Sequence, residues 1–233
     1  MKPPKFYRIS AYDKNLLPNP ILQELEEGAG TPEEWQRTTG LSPGHPAWGI
    51  IYHVALACLH PEQENNIIET GTNWGSSSII LAQAIRDSGR AGRLHTIEID
   101  TTNQEIAIDR VSQAGLTDLV DFHLGNSTKI IQQIVSALDS VRMAYLDGGH
   151  EIDTVMEEFQ VVQQKLTHGG IILLDNTYPI TEKDETARVS EALKTIKSEF
   201  GGNIINLPFV SWYTPGLAIW QRESLDLFDG LGL

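Results

Sequence analysis

Asp147, His150, Asp175 and Asn176 are the residues whose types and spacing suit chemistry. Asp147-Gly148-Gly149-His150 follows the apolar run Val141-Arg142-Met143-Ala144-Tyr145-Leu146, and Asp175-Asn176 follows Gly170-Ile171-Ile172-Leu173-Leu174. Both runs read as short buried strands, with an amphipathic stretch of helical length between them. Parallel neighbouring strands lie about 4.8 Å apart. Asp147, Asp175 and Asn176 would then converge above the sheet's carboxyl edge, where open α/β sheets bind ligands. Three hard oxygen ligands there suit a magnesium-like ion. His150 beside them can take a proton near neutral pH. Singly, each cluster is an ordinary turn. Their joint placement on consecutive strands carries the metal reading.

A second constellation follows an earlier strand: Glu69-Thr70-Gly71-Thr72-Asn73-Trp74-Gly75-Ser76-Ser77-Ser78. Gly71 and Gly75 permit a tight turn and close approach of a ligand to the next helix's N-terminus. Asn73 breaks the Gly-x-Gly-x-x-Gly spacing of a diphosphate clamp, so a loop holding a smaller charged group is expected. A strand-to-helix turn without a ligand fits this loop equally well. Glu98-Ile99-Asp100 ends the next strand, where an acid commonly accepts from a ribose diol. We favour Glu98 for that role. Asp100, expected to project to the opposite face, is assigned to capping or shaping the loop; two helix-entry acids are the alternative. Gly125-Asn126-Ser127-Thr128 suits an adenine edge, a helix N-cap, or both.

These groups need a frame, and strands alternating with helices supply it. Strands are expected over Asn66–Glu69, Leu94–Ile99, Val120–Leu124, Met143–Leu146, Ile171–Leu174, Asn203–Leu207 and Leu217–Trp220. Helices are expected over Pro46–Leu59, Ser76–Asp87, Asn103–Ala114, Lys129–Leu138, Ile152–Leu166 and Ala187–Phe200. Ile50, Val54 and Leu56 give the first of these helices its apolar side. Ile152, Val155, Met156, Phe159, Val162 and Leu166 mark the fifth, which His168-Gly169-Gly170 should end. The pattern predicts an α/β fold with a doubly wound, mostly parallel seven-stranded sheet and helices on both faces. Residues 1–45 read as an irregular arm with one short helix around Pro20–Glu27, and residues 46–233 as the main domain. Thr181–Arg188 reads as a mobile loop beside the site.

Bulk properties narrow the function. At 233 residues the chain suits one large domain. A formal net charge of −14 argues against binding a phosphate backbone or an anionic membrane. Cys58 is the single cysteine, expected as a buried thiol, so no internal disulfide or cysteine cluster forms. With no signal peptide and no membrane-length apolar run, a cytoplasmic location is the default expectation. His-Glu-x-x-His and Gly-x-Ser-x-Gly are both missing, which weakens zinc-protease and hydrolase readings.

Together these residues resemble the class I S-adenosylmethionine-dependent methyltransferases over roughly residues 46–222. More narrowly, the chain is similar to the metal-dependent O-methyltransferases of the catechol and macrolide-sugar types. The resemblance implies that Glu69, Gly71, Thr72, Asn73, Gly75 and Ser77 belong to the methionine-binding motif. It makes Glu98 the ribose acid and puts Asn126 and Ser127 on the adenine side, with Asp147 also against the cofactor. Asp147, Asp175 and Asn176 fall on the family's metal positions, and His150, three residues after Asp147, falls on its catalytic base. Catechol-type enzymes carry Lys there and the macrolide-sugar type carries His, so the expected acceptor is a small-molecule hydroxyl on a sugar or natural product. The implied cofactors are S-adenosylmethionine and a divalent metal, magnesium by preference. The N-terminal arm, the Tyr178–Arg188 loop and Phe209–Tyr213 should assemble the acceptor pocket, with Trp212 and Tyr213 stacking on the acceptor or packing in a core or dimer contact. A homodimer contact and self-packing are equal readings of Leu225-Asp226-Leu227-Phe228. Rival readings on the same scaffold are a cephalosporin-hydroxylase-like enzyme, a metal-independent methyltransferase and a cofactor-binding protein that has lost catalysis.

Overall fold

Asn65–Thr70 (β1) is buried along its whole length, as a strand covered on both faces must be. The computed structural model describes residues 13–27, 32–40, 42–180, 185–208 and 214–222. Around β1 lie β2 (Gly92–Glu98), β3 (Val120–Leu124), β4 (Val141–Leu146), β5 (Leu166–Asp175), β6 (Asn203–Leu207) and β7 (Leu217–Gln221). The order is β3-β2-β1-β4-β5-β7-β6. β7 runs antiparallel between β5 and β6, and the pairings among β1 to β5 are parallel.

Side-chain alternation divides the core in two. Ile67, Met143, Tyr145 and Leu173 face α3 (Ala47–Cys58), α4 (Ser76–Ser88) and α5 (Thr101–Gln113). Ile68, Ala144, Leu146, Ile172 and Leu174 face α6 (Ser127–Ala137), α7 (Ile152–Lys165) and α8 (Glu185–Phe200). Each parallel strand feeds the next helix at its carboxyl end, so the turns after β1, β2, β3, β4 and β5 gather along one edge.

Several expectations need correction. Among its described residues the arm holds two α-helices, α1 (Pro20–Glu27) as expected and α2 (Pro32–Thr39) in addition, after a short 3-10 turn at Lys14–Leu16. The buried stripe of α3 is Ala47, Trp48, Ile51, Ala55 and Cys58, with Ile50, Val54 and Leu56 only partly covered. That helix is apolar nearly all round, so its sequence alone does not select the inward face. His168-Gly169-Gly170 does not end α7. The chain enters β5 directly at Leu166, and the register against β4 jumps from Val141↔Leu166 to Met143↔Ile171. The two glycines serve this irregularity. Gly169 has φ 71°, and a Cβ on Gly170 would stand 2.9 Å from the Arg142 carbonyl oxygen. Glu185–Arg188 form the first turn of α8 and not a loop. The remaining loop residues 181–184, the aromatic segment 209–213 with Trp212 and Tyr213, and the segment 225–228 lie outside the described residues. Cys58 is buried as expected. Among the described residues no helix is long and apolar enough to cross a membrane.

Candidate active site

One cleft of about 800 Å³ opens along the carboxyl edge. Gly71, Thr72, Asn73, Ser77, Glu98, Asn126, Ser127, Asp147, His150, Asp175 and Asn176 all line it. β1, β2, β3, β4 and β5 deliver them from separate parts of the chain.

At one end the β1–α4 loop is held by its glycines. Gly71 has φ 82°, and a Cβ there would collide with the Asp147 backbone carbonyl. Only glycine tolerates both constraints. Asn73 also takes a positive φ, 47°, and its N–H donates to Glu98 Oε2 at 2.7 Å. Glu98 Oε1 accepts from the Ile99 and Asp100 N–H groups, both at 2.9 Å. Asp100 caps α5 by accepting from Asn103 N at 2.9 Å. The expectation that Glu98 and Asp100 project to opposite faces was misreasoned, because residues two apart in a strand share a face. They separate because β2 stops at Glu98. Asn126 occupies the N-cap position of α6 without a side-chain cap bond.

Two members of the expected set lie elsewhere. Glu69 is fully buried beneath the loop, where Thr96 Oγ1 (2.6 Å) and Ser78 Oγ donate to its carboxylate. Burial pushes its pKa up to about 7 against the pull of the Ser77, Ser78 and Thr96 hydroxyls. It braces the turn from below. Gly75 is the N-cap of α4 with φ 84°. A Cβ there would stand 3.1 Å from Ala107 of α5, so Gly75 lets two helices approach.

The other end is made of side chains. Tyr145 OH lies 3.3 Å from both Asp147 Oδ2 and Asp175 Oδ2. One phenolic proton therefore serves two carboxylates. Asp175 Oδ1 is buried without a hydrogen-bond partner. Burial raises the pKa of Asp175 well above the ordinary range, and the neighbouring Asp147 adds to it. Burial raises Asp147 as well, opposed by His150. Asn176 turns the chain at φ 60° and donates through Nδ2 to His150 Nε2 at 2.8 Å. His150 Nε2 also stands 3.6 Å from Asp147 Oδ1, and its Nδ1 donates to Glu185 Oε2 at 3.1 Å. Burial lowers the His150 pKa, but Asp147 and Glu185 outweigh it and the net direction is upward.

Sequence reasoning missed Tyr145 and Glu185. Tyr145 reads as strand core, although it precedes Asp147 by two positions and so shares its face. Glu185 is 35 residues from His150, and no local signal joins them. Thr39, Ser42 and Pro43 from the arm, and Ile180, Glu185, Thr186 and Arg188 from the loop and α8, also line the cleft. Arg110 ties the arm to the loop. Its guanidinium donates to the Thr38 carbonyl at 2.5 Å and lies 5.1 Å over the Trp74 ring. Among the described residues no three histidine, cysteine or carboxylate side chains gather to hold a metal; the set here is two carboxylates and an amide.

Known proteins resemble the chain in domain and fold. Residues 68–177 match a family described as a methyltransferase domain. The chain is 28% identical over 175 residues to a catechol O-methyltransferase of Niastella koreensis, covering 73% of each chain. It is 30% identical over 122 residues to the catechol O-methyltransferase of Sus scrofa, covering 51% of this chain and 63% of that one. The fold is shared with the O-methyltransferase TomG from Streptomyces achromogenes, involved in tomaymycin synthesis and solved with its cofactor SAM. That likeness has a TM-score of 0.67 at 22% identity, covering 85% of this chain and 89% of that one. These relatives do not single out the sugar type to which the histidine pointed. Residues 68–177 thus carry a methyltransferase domain, and in domain, relatives and fold the chain is similar to the class I S-adenosylmethionine-dependent O-methyltransferases.

Proposed function

We propose that this chain methylates a hydroxyl of a small molecule, a sugar or other natural product, with His150 as general base beside a divalent cation. The arm of residues 1–45 contributes to the acceptor pocket of the domain formed by residues 46–233. The observation that carries this reading is the meeting of His150, Asp147, Asp175 and Asn176 at one end of a cleft whose other end presents the Gly71 loop and Glu98.

The residues present fit both bound groups. Gly71 packs against the Asp147 carbonyl with no room for a side chain, which fixes the loop backbone at the cleft wall. Gly71, Thr72, Asn73 and Ser77 would hold the amino-acid end of S-adenosylmethionine, Glu98 its ribose, and Asn126 and Ser127 its base. The sulfonium supplies the methyl group. Asp147, Asp175 and Asn176 would hold magnesium or a similar cation, since two buried carboxylates share one phenolic proton and Asp175 Oδ1 has no partner. Such an ion lowers the pKa of a hydroxyl beside it.

His150 then has a defined task. With the Nδ1 proton donated to Glu185, Nε2 is the basic nitrogen; Asn176 Nδ2 occupies its lone pair here and would have to release it for Nε2 to accept the acceptor's proton. Asp147 and Glu185 stabilise the imidazolium that results. With the acceptor oxygen deprotonated by His150 and held beside the sulfonium, the cleft would supply much of the acceleration by positioning the two. Glu69 and Gly75 support the cofactor loop from outside the cleft.

Calorimetric titration with S-adenosylmethionine, in magnesium and in excess chelator with NAD as control, tests the reading. Micromolar binding of S-adenosylmethionine alone is expected in both buffers, with methylation of hydroxyl acceptors lost in chelator. No binding in either buffer would overturn the cofactor assignment, and full activity in chelator would remove the metal.

A further inference from the structure

On the sheet face away from α4 lies a buried carboxylate that the mechanism above does not use. Glu158 of α7 is 1% exposed and shares the inward stripe of Val155, Phe159 and Val162. Thr70 Oγ1, at the end of β1, donates to Glu158 Oε2 at 2.9 Å. The same hydroxyl oxygen accepts from the backbone N–H groups of Asp147 and Gly148, each at 3.2 Å. A hydroxyl has one proton and two lone pairs. Because Glu158 takes the proton, both lone pairs are left for the two amides, of which the Asp147 N–H is shared with the Thr70 backbone carbonyl at 3.2 Å.

There is little slack around this node. A Cβ on Gly148 would stand 2.9 Å from Thr70 Cβ, and one on Gly71 would strike the Asp147 carbonyl. The turn carrying Asp147 is pressed against the end of β1, and the Thr70 hydroxyl is its side-chain tether. Ser127, in the first turn of α6, also stands near Glu158. Its hydroxyl favours the ionised carboxyl but stops short of a well-formed hydrogen bond, and Glu158 Oε1 has no partner. Ser127 and Gly148 both line the cleft. One carboxylate thus underlies the base-binding side and the metal-binding side together.

We propose that Glu158 is a positioning residue: by taking the Thr70 proton it fixes the Asp147–Gly148 turn relative to the cofactor loop. Its consequence for catalysis rests on the methyl-transfer reading of the cleft. The tether itself does not, which allows a separate test.

Glu158→Leu, Glu158→Gln and Thr70→Val would be compared with the unaltered chain by amide hydrogen exchange, and by manganese binding followed by electron paramagnetic resonance. In Glu158→Leu, exchange at Gly148 should quicken and manganese affinity should fall, each by roughly 10–100-fold. Exchange within Met143–Leu146 should stay unchanged. Glu158→Gln, whose amide oxygen still accepts from Thr70, should recover most of both losses. Thr70→Val should reproduce the Leu result and decides the matter if Glu158→Leu does not fold. Unchanged exchange at Gly148 in a folded Leu or Val variant would overturn the proposal, as would equal losses in Gln and Leu. An unaltered chain that binds no S-adenosylmethionine or manganese would overturn the function or the metal, while the exchange rates would still decide the tether.

Discussion

Glu98 and Asp175 stand at opposite ends of one cleft, each at the carboxyl tip of a parallel strand, yet the fold serves them differently. Glu98 accepts from three backbone N–H groups, those of Asn73, Ile99 and Asp100. Asp175 shares one phenolic proton with Asp147 and leaves Oδ1 without a partner. Burial and the nearby Asp147 push its pKa upward. The cofactor end is completed by backbone alone. The acceptor end leaves carboxylate oxygens short of donors, in keeping with the cation proposed for it.

Substitutions can break this contrast. The largest effect should come at the acceptor end, where His150→Ala should lower turnover by roughly 10²–10⁴-fold and leave S-adenosylmethionine affinity nearly unchanged. Single-turnover kinetics beside calorimetry would check it, and a collapse of cofactor affinity would remove His150 from the base role. The next effect concerns the carboxyls beneath each half. Glu69 and Glu158 rise from 4.5 to about 7 on folding. Each therefore keeps its proton in the native state after the unfolded chain has lost it, and stability should fall as pH rises from 4.5 through about 7. Linkage puts this at about 3 kcal/mol per carboxyl. Urea unfolding across that range, with Glu69→Gln for comparison, should show a shallower slope in the variant.

At the cofactor end, Glu98→Gln places an amide N–H₂ where backbone donors point. It should cost the ligand-free protein roughly 1–3 kcal/mol, measured by urea unfolding. Asp175→Asn should have the smallest effect and the opposite sign. Removing a poorly served buried charge should stabilise the ligand-free protein by about 1 kcal/mol while abolishing tight manganese binding. Destabilisation by both substitutions would dissolve the comparison between the two ends.

The strands and the two aspartate turns were legible because β4 and β5 are short apolar runs ending in polar turn residues. Their parallel pairing then put Asp147 beside Asp175 and Asn176. Glu185 was not legible, since its contact with His150 is made only when the first turn of α8 folds back over the edge. Glu158 was hidden for another reason. It reads as a charge on a solvated face, yet its spacing from Val155 and Val162 places it on the buried stripe, and that spacing is the signal that would have found it. The glycines of residues 168–170 misled because a glycine pair after a helix reads as a stop, whereas here it shapes an irregular strand. Glu69 was assigned to the ligand from its motif position, although a strand residue ahead of the turn points into the layer beneath it.

The placement of β7 also bears on how the molecule is made. Just beyond β5, Tyr178 N donates to Pro215 O at 2.8 Å and Thr177 N to Gly216 O at 3.4 Å, and β7 pairs with β5 as far as Asp175. The segment bearing Asp175 and Asn176 is thus bound along one side by chain synthesised some forty residues later. The Gly71 loop and Glu98 need only β1, β2 and the turns that follow them. During vectorial synthesis, the cofactor end acquires its partners first, and the acceptor end waits for Leu217–Gln221 to slot between strands already made.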